Sequence, residues 1–449
     1  MSADARPRAE APKSLDRALV RGLFFVGAFA AVTSVARLAQ DAAIAWRFGT
    51  GPAVDAYYFV SSLVNWPVAV ALSVFMLLVG SVEVGQRQKG RLDEVQRFRR
   101  ELLGALLLLA VLSLPAAWAI LRTVAGGPLG GLEDRTAKLA LAGIPWIVAV
   151  VPIGLVGALL AAWLVAAGRH VLTLLEALPP LVLTLALLLS APGPVLFWAT
   201  AVGVAIQAVA MTATLRAMRA MPAPSLGFGS AAWHGVAASG LLLVAAQVIS
   251  ALLPLVDAFF AARLGEGTLT TLNFANRIVL GLQGLTGLAL QRASLPLLAP
   301  MLASAPQHAY RAVVRWAGLM ALLGLAIGMV VAALADPLVA LLFERGRFGA
   351  DDREQVATLL RWGVLQLAPY LAAVPVVTAL AAISARSLVI AAATGLAVKV
   401  SLSGLLAAGL GAVGLQVGTA AMYTTAALVA WLALRRHLRV EGAGQSLVQ

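Results

Sequence analysis

The chain has 449 residues, of which 61% are hydrophobic and only 12% charged, with a formal net charge of +13 and no cysteine. A soluble globule of this size would lack the polar residues needed to cover its surface, so the composition indicates a membrane protein. The lack of cysteine excludes disulfides, thiolate metal sites and cysteine nucleophiles. Basic residues of membrane proteins usually lie in cytoplasmic loops that face anionic lipid, so no nucleic-acid partner is predicted.

Apolar runs of about 20 residues, enough for a helix to cross a hydrocarbon core of roughly 30 Å, recur along the whole chain. They predict an all-α polytopic membrane protein with twelve transmembrane helices. The first six are expected at 19–46, 54–82, 102–121, 139–167, 171–191 and 195–215. The second six are expected at 233–262, 268–298, 314–335, 356–384, 387–408 and 411–434.

These helices divide the chain into five regions. A polar linker at 216–232 separates one six-helix bundle at 19–215 from a second at 233–434, and tails are expected at 1–18 and 435–449. Lys and Arg are more frequent on the side of the tails than on the other side. The positive-inside rule therefore places both termini in the cytoplasm.

One motif occurs in both predicted bundles. DAAIAWRFGTG at 41–51 and DAFFAARLGEG at 257–267 share the pattern D-A-x-x-A-x-R-x-G-x-G. Six predicted helices separate the copies, an even number, so the two halves enter the membrane in the same direction. This parallel repeat predicts two bundles around a central cavity. For Arg47 and Arg263 of the motif, a structural anchor at the outer interface is favoured over a ligand role.

Polar residues inside the predicted helices are the candidate substrate-binding residues. Arg37 and Asp41 share one face of the first helix, and Asn273, Asn276 and Arg277 form a similar group in the eighth. Burying a charge in lipid costs at least about 2.5 to 3.5 kcal/mol, so these groups are expected to face a hydrated cavity. Because a guanidinium can bind two phosphate oxygens together, the predicted ligand is a phosphate or pyrophosphate. The alternative is a structural Arg37–Asp41 pair that only stabilises the bundle.

Asp257 in the seventh helix and Lys399 in the eleventh form a second candidate site, for a cation or for coupling. The aspartate is suited to a cation or a proton, and the lysine to balancing its charge from inside the protein. The four histidines lie far apart near loops, so no metal site is predicted. No cofactor is predicted either, which leaves a coupling cation or the membrane potential as the source of energy.

Several stretches resemble the MurJ/MviN family of lipid-linked sugar flippases, in the superfamily that includes polysaccharide flippases and MATE multidrug exporters. RLAQDAAIAWRFGTGPAVDAYYFV is similar to the family's first two helices, and LVDAFFAARLGEGTLTTLNFANRIVLGLQGL to its seventh and eighth. The most specific stretch, LFERGRFGADD at 342–352, resembles the family's Leu-Phe-Glu-Arg-Gly-x-Phe signature, and GAVGLQVGTAAMYT resembles the start of its twelfth helix. The resemblance implies a transporter, not an enzyme, that moves an undecaprenyl-pyrophosphate-linked saccharide across the bacterial cytoplasmic membrane by alternating access.

The resemblance also implies roles for individual residues. Arg277 matches the family's helix-eight arginine, Asp41 its helix-one aspartate, and Asp257 a helix-seven aspartate associated with a cation site. Where the family has an arginine just before the helix-one aspartate this chain has Gln40, and Arg37, one turn away, is expected to substitute for it.

Two further departures from the family leave the saccharide open. The family's helix-two arginines are replaced by the uncharged stretch VNWPVAVALSVFMLLVG, and Lys399 stands in place of an acidic cation ligand. An exopolysaccharide or glycolipid precursor therefore remains an alternative to lipid II.

Two other functions are weighed against the flippase. A cation-coupled drug antiporter of the MATE type predicts acidic residues and few arginines in the cavity, so Arg37 and Arg277 count against it. A membrane-embedded glycosyltransferase needs a large outer loop with catalytic acids, which the predicted loops do not provide. The expected partners are a lipid-linked saccharide and membrane lipids, with the chain acting as a monomer.

Overall fold

The computed structural model describes residues 13–88, 91–168, 172–190, 193–231, 233, 244–245, 247–284, 286 and 306–445. All regular secondary structure within these residues is helical. The predictions made for residues 1–12, 234–243, 287–298 and 446–449 lie outside the described residues.

The first half of the chain forms helices over the six predicted spans. They are α1 (Lys13–Phe48), α2 (Pro52–Gln88), α3 (Leu92–Gly126), α4 (Asp134–Ile147), α5 (Val150–Ala166), α6 (Leu172–Leu175), α7 (Leu178–Leu189) and α8 (Val195–Ala217). Two of the predicted spans are each divided into two helices. α4 and α5 meet at an angle of 51°, because Pro152 has no N–H to donate to the carbonyl of Val148. The break between α6 and α7 comes just before Pro179 and Pro180, which also lack a main-chain N–H.

The second half is helical over its described residues. Its helices are α9 (Leu253–Ala261), α10 (268–284), α11 (Pro306–Ala333), α12 (Ala335–Phe343), α13 (Ala350–Gly363), α14 (Leu367–Ile383), α15 (Ala385–Leu410) and α16 (Ala412–Gln445). A helical turn at 247–251 precedes α9, and a short 3-10 helix, Val364–Gln366, joins α13 to α14. α16 runs on to Gln445, so most of the tail predicted at 435–449 is helical.

Many of these helices have the length and composition of membrane spans. Seven described helices are long and apolar enough to cross a membrane, or eight if the bent pair α4–α5 forms one span. Large apolar side chains on their outer faces are exposed, as at Leu322, Met329 and Val330 of α11. Such faces are stable in lipid and not in water, which agrees with the predicted multi-pass fold. The full number of twelve spans stays a prediction, because the seventh and eighth lie partly outside the described residues.

Small residues allow the helices of the first half to approach closely. α2 packs on α4 and α5, and α4 and α5 pack on α8. A Cβ atom at Gly143 would lie 2.4 Å from Cε1 of Phe197, and one at Gly154 would lie 2.6 Å from Cγ2 of Val68. Close contacts at glycine are the usual way in which membrane helices gain packing energy.

The two halves meet at the end of the bundles that carries the repeated motif, here called the motif side (residues 46–55, 263–270 and 342–352). The Asp55 carboxylate of α2 accepts hydrogen bonds from the main-chain N–H of Gly267 (2.5 Å) and of Thr270 (2.8 Å), at the start of α10. The Trp46 carbonyl accepts one from the main-chain N–H of Arg347 at 2.9 Å. A helix of one half is thus capped by an aspartate of the other.

The linker between the halves is held by α3. The buried Glu101 carboxylate accepts hydrogen bonds from the main-chain N–H groups of Gly229 (3.2 Å) and Ser230 (3.1 Å) and from Nε1 of Trp233 (2.8 Å). Glu94, two turns earlier, accepts from the Ser230 hydroxyl at 3.0 Å. The linker is therefore fixed to the first half at the side opposite the motif side. The bundle boundary that it marks stays a prediction.

Replacing Glu101 by alanine is expected to free the linker. Hydrogen bonds to a charged group contribute about 1.5 to 3 kcal/mol each, so losing three of them favours local opening by tenfold or more. Trypsin cleavage after the exposed Arg219 should accelerate accordingly, measured by the rate at which the intact chain disappears. Glu133→Ala on the motif side is the control, and equal cleavage rates in the two variants would contradict this account.

Candidate functional site

A cavity of about 640 Å³ lies between the two halves. This volume falls within the range of small-molecule sites in proteins. The polar residues that line it come from both halves: Arg37, Gln40, Tyr57, Tyr58, Ser61, Ser62, Asn65, Trp66, Glu176, Thr200, Gln207, Ser250, Asn273 and Arg277. The predicted central cavity is therefore present, and the structure brings Arg37, Arg277 and Asn273 together around it.

An ion pair at the cavity wall joins the two halves. Nε of Arg277 on α10 donates to Oδ2 of Asp41 on α1. The Asp41 side chain is 1% exposed, and its Oδ1 accepts from the Tyr58 hydroxyl at 3.0 Å. The Arg277 side chain is 26% exposed, and its two terminal nitrogens make no hydrogen bond to any described residue. Asp41 thus positions the guanidinium and leaves its outer N–H groups available to a ligand.

The structural Arg37–Asp41 pair considered from the sequence is not formed. Arg277 and Tyr58 bind the two oxygens of Asp41, while Arg37 is exposed to the cavity and makes no hydrogen bond within the described part of the chain. Arg37 lies 11 residues before the end of α1, and Arg277 lies 9 residues after the start of α10. At 1.5 Å per residue, both lie roughly 14 to 17 Å from the motif side. Two guanidinium groups, one from each half, are therefore found at similar depth in one cavity.

The two asparagines of α10 differ in their surroundings. Asn273 lines the cavity, and its Nδ2 donates a hydrogen bond to the Leu269 carbonyl at 2.8 Å. Its side-chain oxygen accepts no hydrogen bond from any described residue. Asn276 does not line it, because its Oδ1 accepts from Nε2 of Gln416 on α16 at 2.9 Å. Neighbouring residues of a helix point about 100° apart, so Asn276 and Arg277 face different elements. The structure thus places Asn276 outside the site for which it was predicted.

Asp257 and Lys399 form an ion pair away from this cavity. Nζ of Lys399 lies 2.5 Å from Oδ1 of Asp257. It also donates to the Leu415 carbonyl at 2.7 Å and to the Thr419 hydroxyl at 2.6 Å. The ammonium is fully buried among α9, α15 and α16.

Uncharged polar residues of α2 were missed by the sequence reasoning. Tyr58, Ser62 and Asn65 recur at helical spacing along the cavity side of α2, followed by Trp66. The predicted site residues lie on helices in which a charged residue marks the polar face, and this part of α2 has no charged residue. Polar residues at i, i+4 and i+7 within an apolar run are the pattern that would have identified them.

The motif arginines bind main-chain carbonyls on the motif side. Arg47 donates to the carbonyls of Leu187 and Ser190, the latter at 2.8 Å. Arg263 donates to the carbonyl of Leu129 at 2.9 Å. These bonds tie α1 to the end of α7 and α9 to the loop before α4, which agrees with the structural role favoured for both residues.

Two helical bundles around a polar cavity, with an arginine from each half inside it, define a multi-pass membrane transporter. The family model described as "Lipid II flippase MurJ" matches residues 44–448. The chain belongs to the MurJ family of lipid II flippases, whose substrates are lipid-linked. This confirms the predicted family and the assignment as a transporter, not an enzyme.

Individual relatives agree with this assignment. The lipid II flippase MurJ of Burkholderia cenocepacia is 26% identical over 368 residues, which cover 76% of this chain and 69% of the relative. Among solved structures, a lipid II flippase MurJ in an inward closed conformation superposes with a TM-score of 0.76 at 15% identity, over 92% of this chain and 87% of that one. An inward-facing MATE multidrug transporter gives 0.71 at 14% identity, over 91% and 95%. These structural likenesses confirm the all-helical polytopic fold.

Proposed function

We propose that the chain moves a polyprenyl-pyrophosphate-linked saccharide across the bacterial cytoplasmic membrane by alternating access. The observation that carries the proposal is the pair Arg37 and Arg277, which reach one cavity from opposite halves. Arg37 and the two terminal nitrogens of Arg277 carry N–H groups that make no hydrogen bond to any described residue, so together they can bind an anion with oxygen atoms on two neighbouring centres. A pyrophosphate satisfies this requirement and can accept bidentate hydrogen bonds from both groups.

The other lining residues suit the remaining parts of such a substrate. Asn65, Gln207 and Ser62 offer neutral donors and acceptors to saccharide hydroxyls, and Trp66 offers an apolar ring beside them. The apolar polyprenyl chain stays in the lipid bilayer throughout transport, so it is never exposed to water. The cavity needs to admit only the headgroup.

Contacts between the halves support a conformation that is closed on the motif side. Outside the linker, hydrogen bonds between the two halves cluster on the motif side, and a further one joins Asp41 to Arg277. α1 ends and α16 begins on the motif side, so the described chain ends lie on the opposite side. The positive-inside rule assigns that side to the cytoplasm. The headgroup would then enter from the cytoplasm and leave when the motif side opens by rocking of the halves.

Replacing Arg37 by alanine tests the proposal. Loss of one charged hydrogen bond of about 1.5 to 3 kcal/mol should slow flipping by about ten- to a hundredfold. The assay reconstitutes purified protein into liposomes and compares labelled lipid II with a polyprenyl-pyrophosphate-linked exopolysaccharide precursor. Arg315→Ala on α11, an exposed arginine that does not line the cavity, is the matched control and should retain the wild-type rate.

The outcomes of this assay separate the alternatives. The substrate that wild type moves faster identifies the saccharide class. Flipping by Arg37→Ala at the rate of Arg315→Ala would remove Arg37 from the site. A single chain encloses the cavity, which supports activity as a monomer, and one protein per liposome should therefore suffice for transport.

A further inference from the structure

Three oxygen atoms surround the buried Lys399 ammonium. Oδ1 of Asp257, the Leu415 carbonyl and the Thr419 hydroxyl lie 2.5, 2.7 and 2.6 Å from Nζ. Lys399 is 0% exposed. Its ammonium donates hydrogen bonds to the Leu415 carbonyl and the Thr419 hydroxyl, and its contact with Oδ1 of Asp257 is an ion pair. We propose that this tethered ammonium replaces an exchangeable monovalent cation, so that the protein binds no cation between α9, α15 and α16.

The donor set is the first argument for this replacement. A carboxylate, a main-chain carbonyl and a hydroxyl are the oxygen ligands with which proteins hold hard cations. The resemblance of Asp257 to a cation-site aspartate implies such an ion at this place. The residues present do not fit one, because Nζ already lies within 2.7 Å of every oxygen of the set. A metal ion in contact with the same oxygens would lie against a positive charge in a medium of low dielectric.

Packing around the lysine stem is the second argument. A Cβ atom at Gly418 on α16 would lie 3.5 Å from Cδ of Lys399 and 2.8 Å from Oγ of Ser403. Any larger residue at position 418 would therefore crowd Ser403, one turn from Lys399 on α15. Glycine at this position lets α15 and α16 approach each other while the stem passes between them. The fold is thus built to hold this side chain in one place.

Charge balance is the third argument. Asp257 carries one negative charge, Lys399 carries one positive charge, and the buried pair is neutral without an added ion. Pro254 at the start of α9 and Ser250 in the preceding turn also line the cavity. The ammonium consequently fixes a cavity-lining helix to α15 and α16 whatever cation is dissolved outside.

Thermal unfolding in different salts tests the inference. Purified wild type is heated in detergent with sodium, lithium, potassium or choline chloride at one ionic strength. We expect one unfolding temperature in all four salts. Lys399→Ala should unfold at a lower temperature in choline and recover part of the loss with rising sodium or lithium, in a saturable manner, because the truncation exposes the three oxygens to a small cation.

Two variants serve as controls. Lys399→Met removes the charge and keeps much of the volume, so it should be less stable in every salt without recovery. Asp257→Asn/Lys399→Ala removes the anionic ligand as well, so sodium should not raise its unfolding temperature above the choline value.

Two results would overturn the inference. One is a saturable rise of the wild-type unfolding temperature with sodium or lithium that disappears in Asp257→Asn. The other is a folded Lys399→Ala protein that responds to no cation. If Lys399→Ala does not fold, binding of radioactive sodium to wild type by equilibrium dialysis decides, with binding at one ion per chain as the contrary result.

The inference rests on the proposed function only for its consequence in transport. None of these measurements uses a lipid-linked saccharide, so a failure to flip any such substrate would remove the proposed function and leave the tethered cation standing. Conversely, flipping that requires a sodium gradient in wild type would support the proposed function and count against the tethered cation.

Discussion

Arg277→Ala is expected to reduce flipping to the rate of protein-free liposomes and to lower the free energy of unfolding by about 3 to 5 kcal/mol. The loss of stability follows because Asp41, 1% exposed, would keep a buried negative charge without its partner. The loss of transport follows from the same change, since the cavity would lose a cation and gain an unbalanced anion. A pyrophosphate would then meet repulsion where it now meets two guanidinium groups.

Two further variants separate stability from substrate binding. Asp41→Asn/Arg277→Gln removes both charges and should recover most of the stability without recovering transport. Arg277→Lys retains the ion pair but lacks the planar guanidinium, so its stability should be close to wild type and its flipping reduced. Flipping in liposomes and chemical unfolding in detergent measure the two effects. Wild-type flipping by the double variant would show that the pair has only a structural role.

The sequence carries much of the information on the fold because apolar length and proline act locally. Runs of about 20 apolar residues identify membrane helices without reference to their neighbours. The prolines at 152, 179 and 180 are also a signal in the sequence for the two divided spans, since proline removes a helical hydrogen bond. Polarity alone did not show that α16 continues to Gln445, and the assignment of 435–449 as a cytoplasmic tail stays a prediction.

The site was less accessible to sequence reasoning, because its contacts join distant residues. Asp41 and Arg277 are 236 residues apart, and the choice between Arg37 and Arg277 as the partner of Asp41 depends on how the two halves meet. Spacing placed Asn276 beside Arg277, but only the position of α16 shows that its amide turns to Gln416.

Charge complementarity predicted one contact of the second candidate site but not its other contacts. It brought Asp257 and Lys399 together as candidates, and the structure shows them in contact. The other groups around the ammonium could not be predicted, because a main-chain carbonyl such as that of Leu415 is present at every residue and gives no signal in the sequence.

Cross-linking the motif side is expected to stop transport reversibly. A Cβ atom at Gly267 would lie 3.9 Å from Cβ of Thr50, which belongs to the other half. Disulfides join Cβ atoms roughly 3.5 to 4.5 Å apart, so Thr50→Cys/Gly267→Cys should form one under oxidising conditions. The natural chain has no cysteine, so no other intramolecular disulfide competes. If the headgroup leaves when the motif side opens, the oxidised variant should flip at the background rate and recover on reduction.

The single variants control for the substitutions themselves. Gly267 has φ +85°, a conformation that other residues adopt with strain, so Gly267→Cys alone is expected to lower activity to some extent under both redox conditions. Only the double variant should respond to reductant. Flipping is measured before and after reduction. Trypsin then cleaves the linker, and the cross-linked fraction is the fraction of protein whose two halves stay joined by the disulfide. The contrary result is a fully cross-linked protein that flips at the rate of its reduced form. The headgroup would then leave without separation of Thr50 from Gly267. A path along the lipid-facing surface would have to replace alternating access through the motif side.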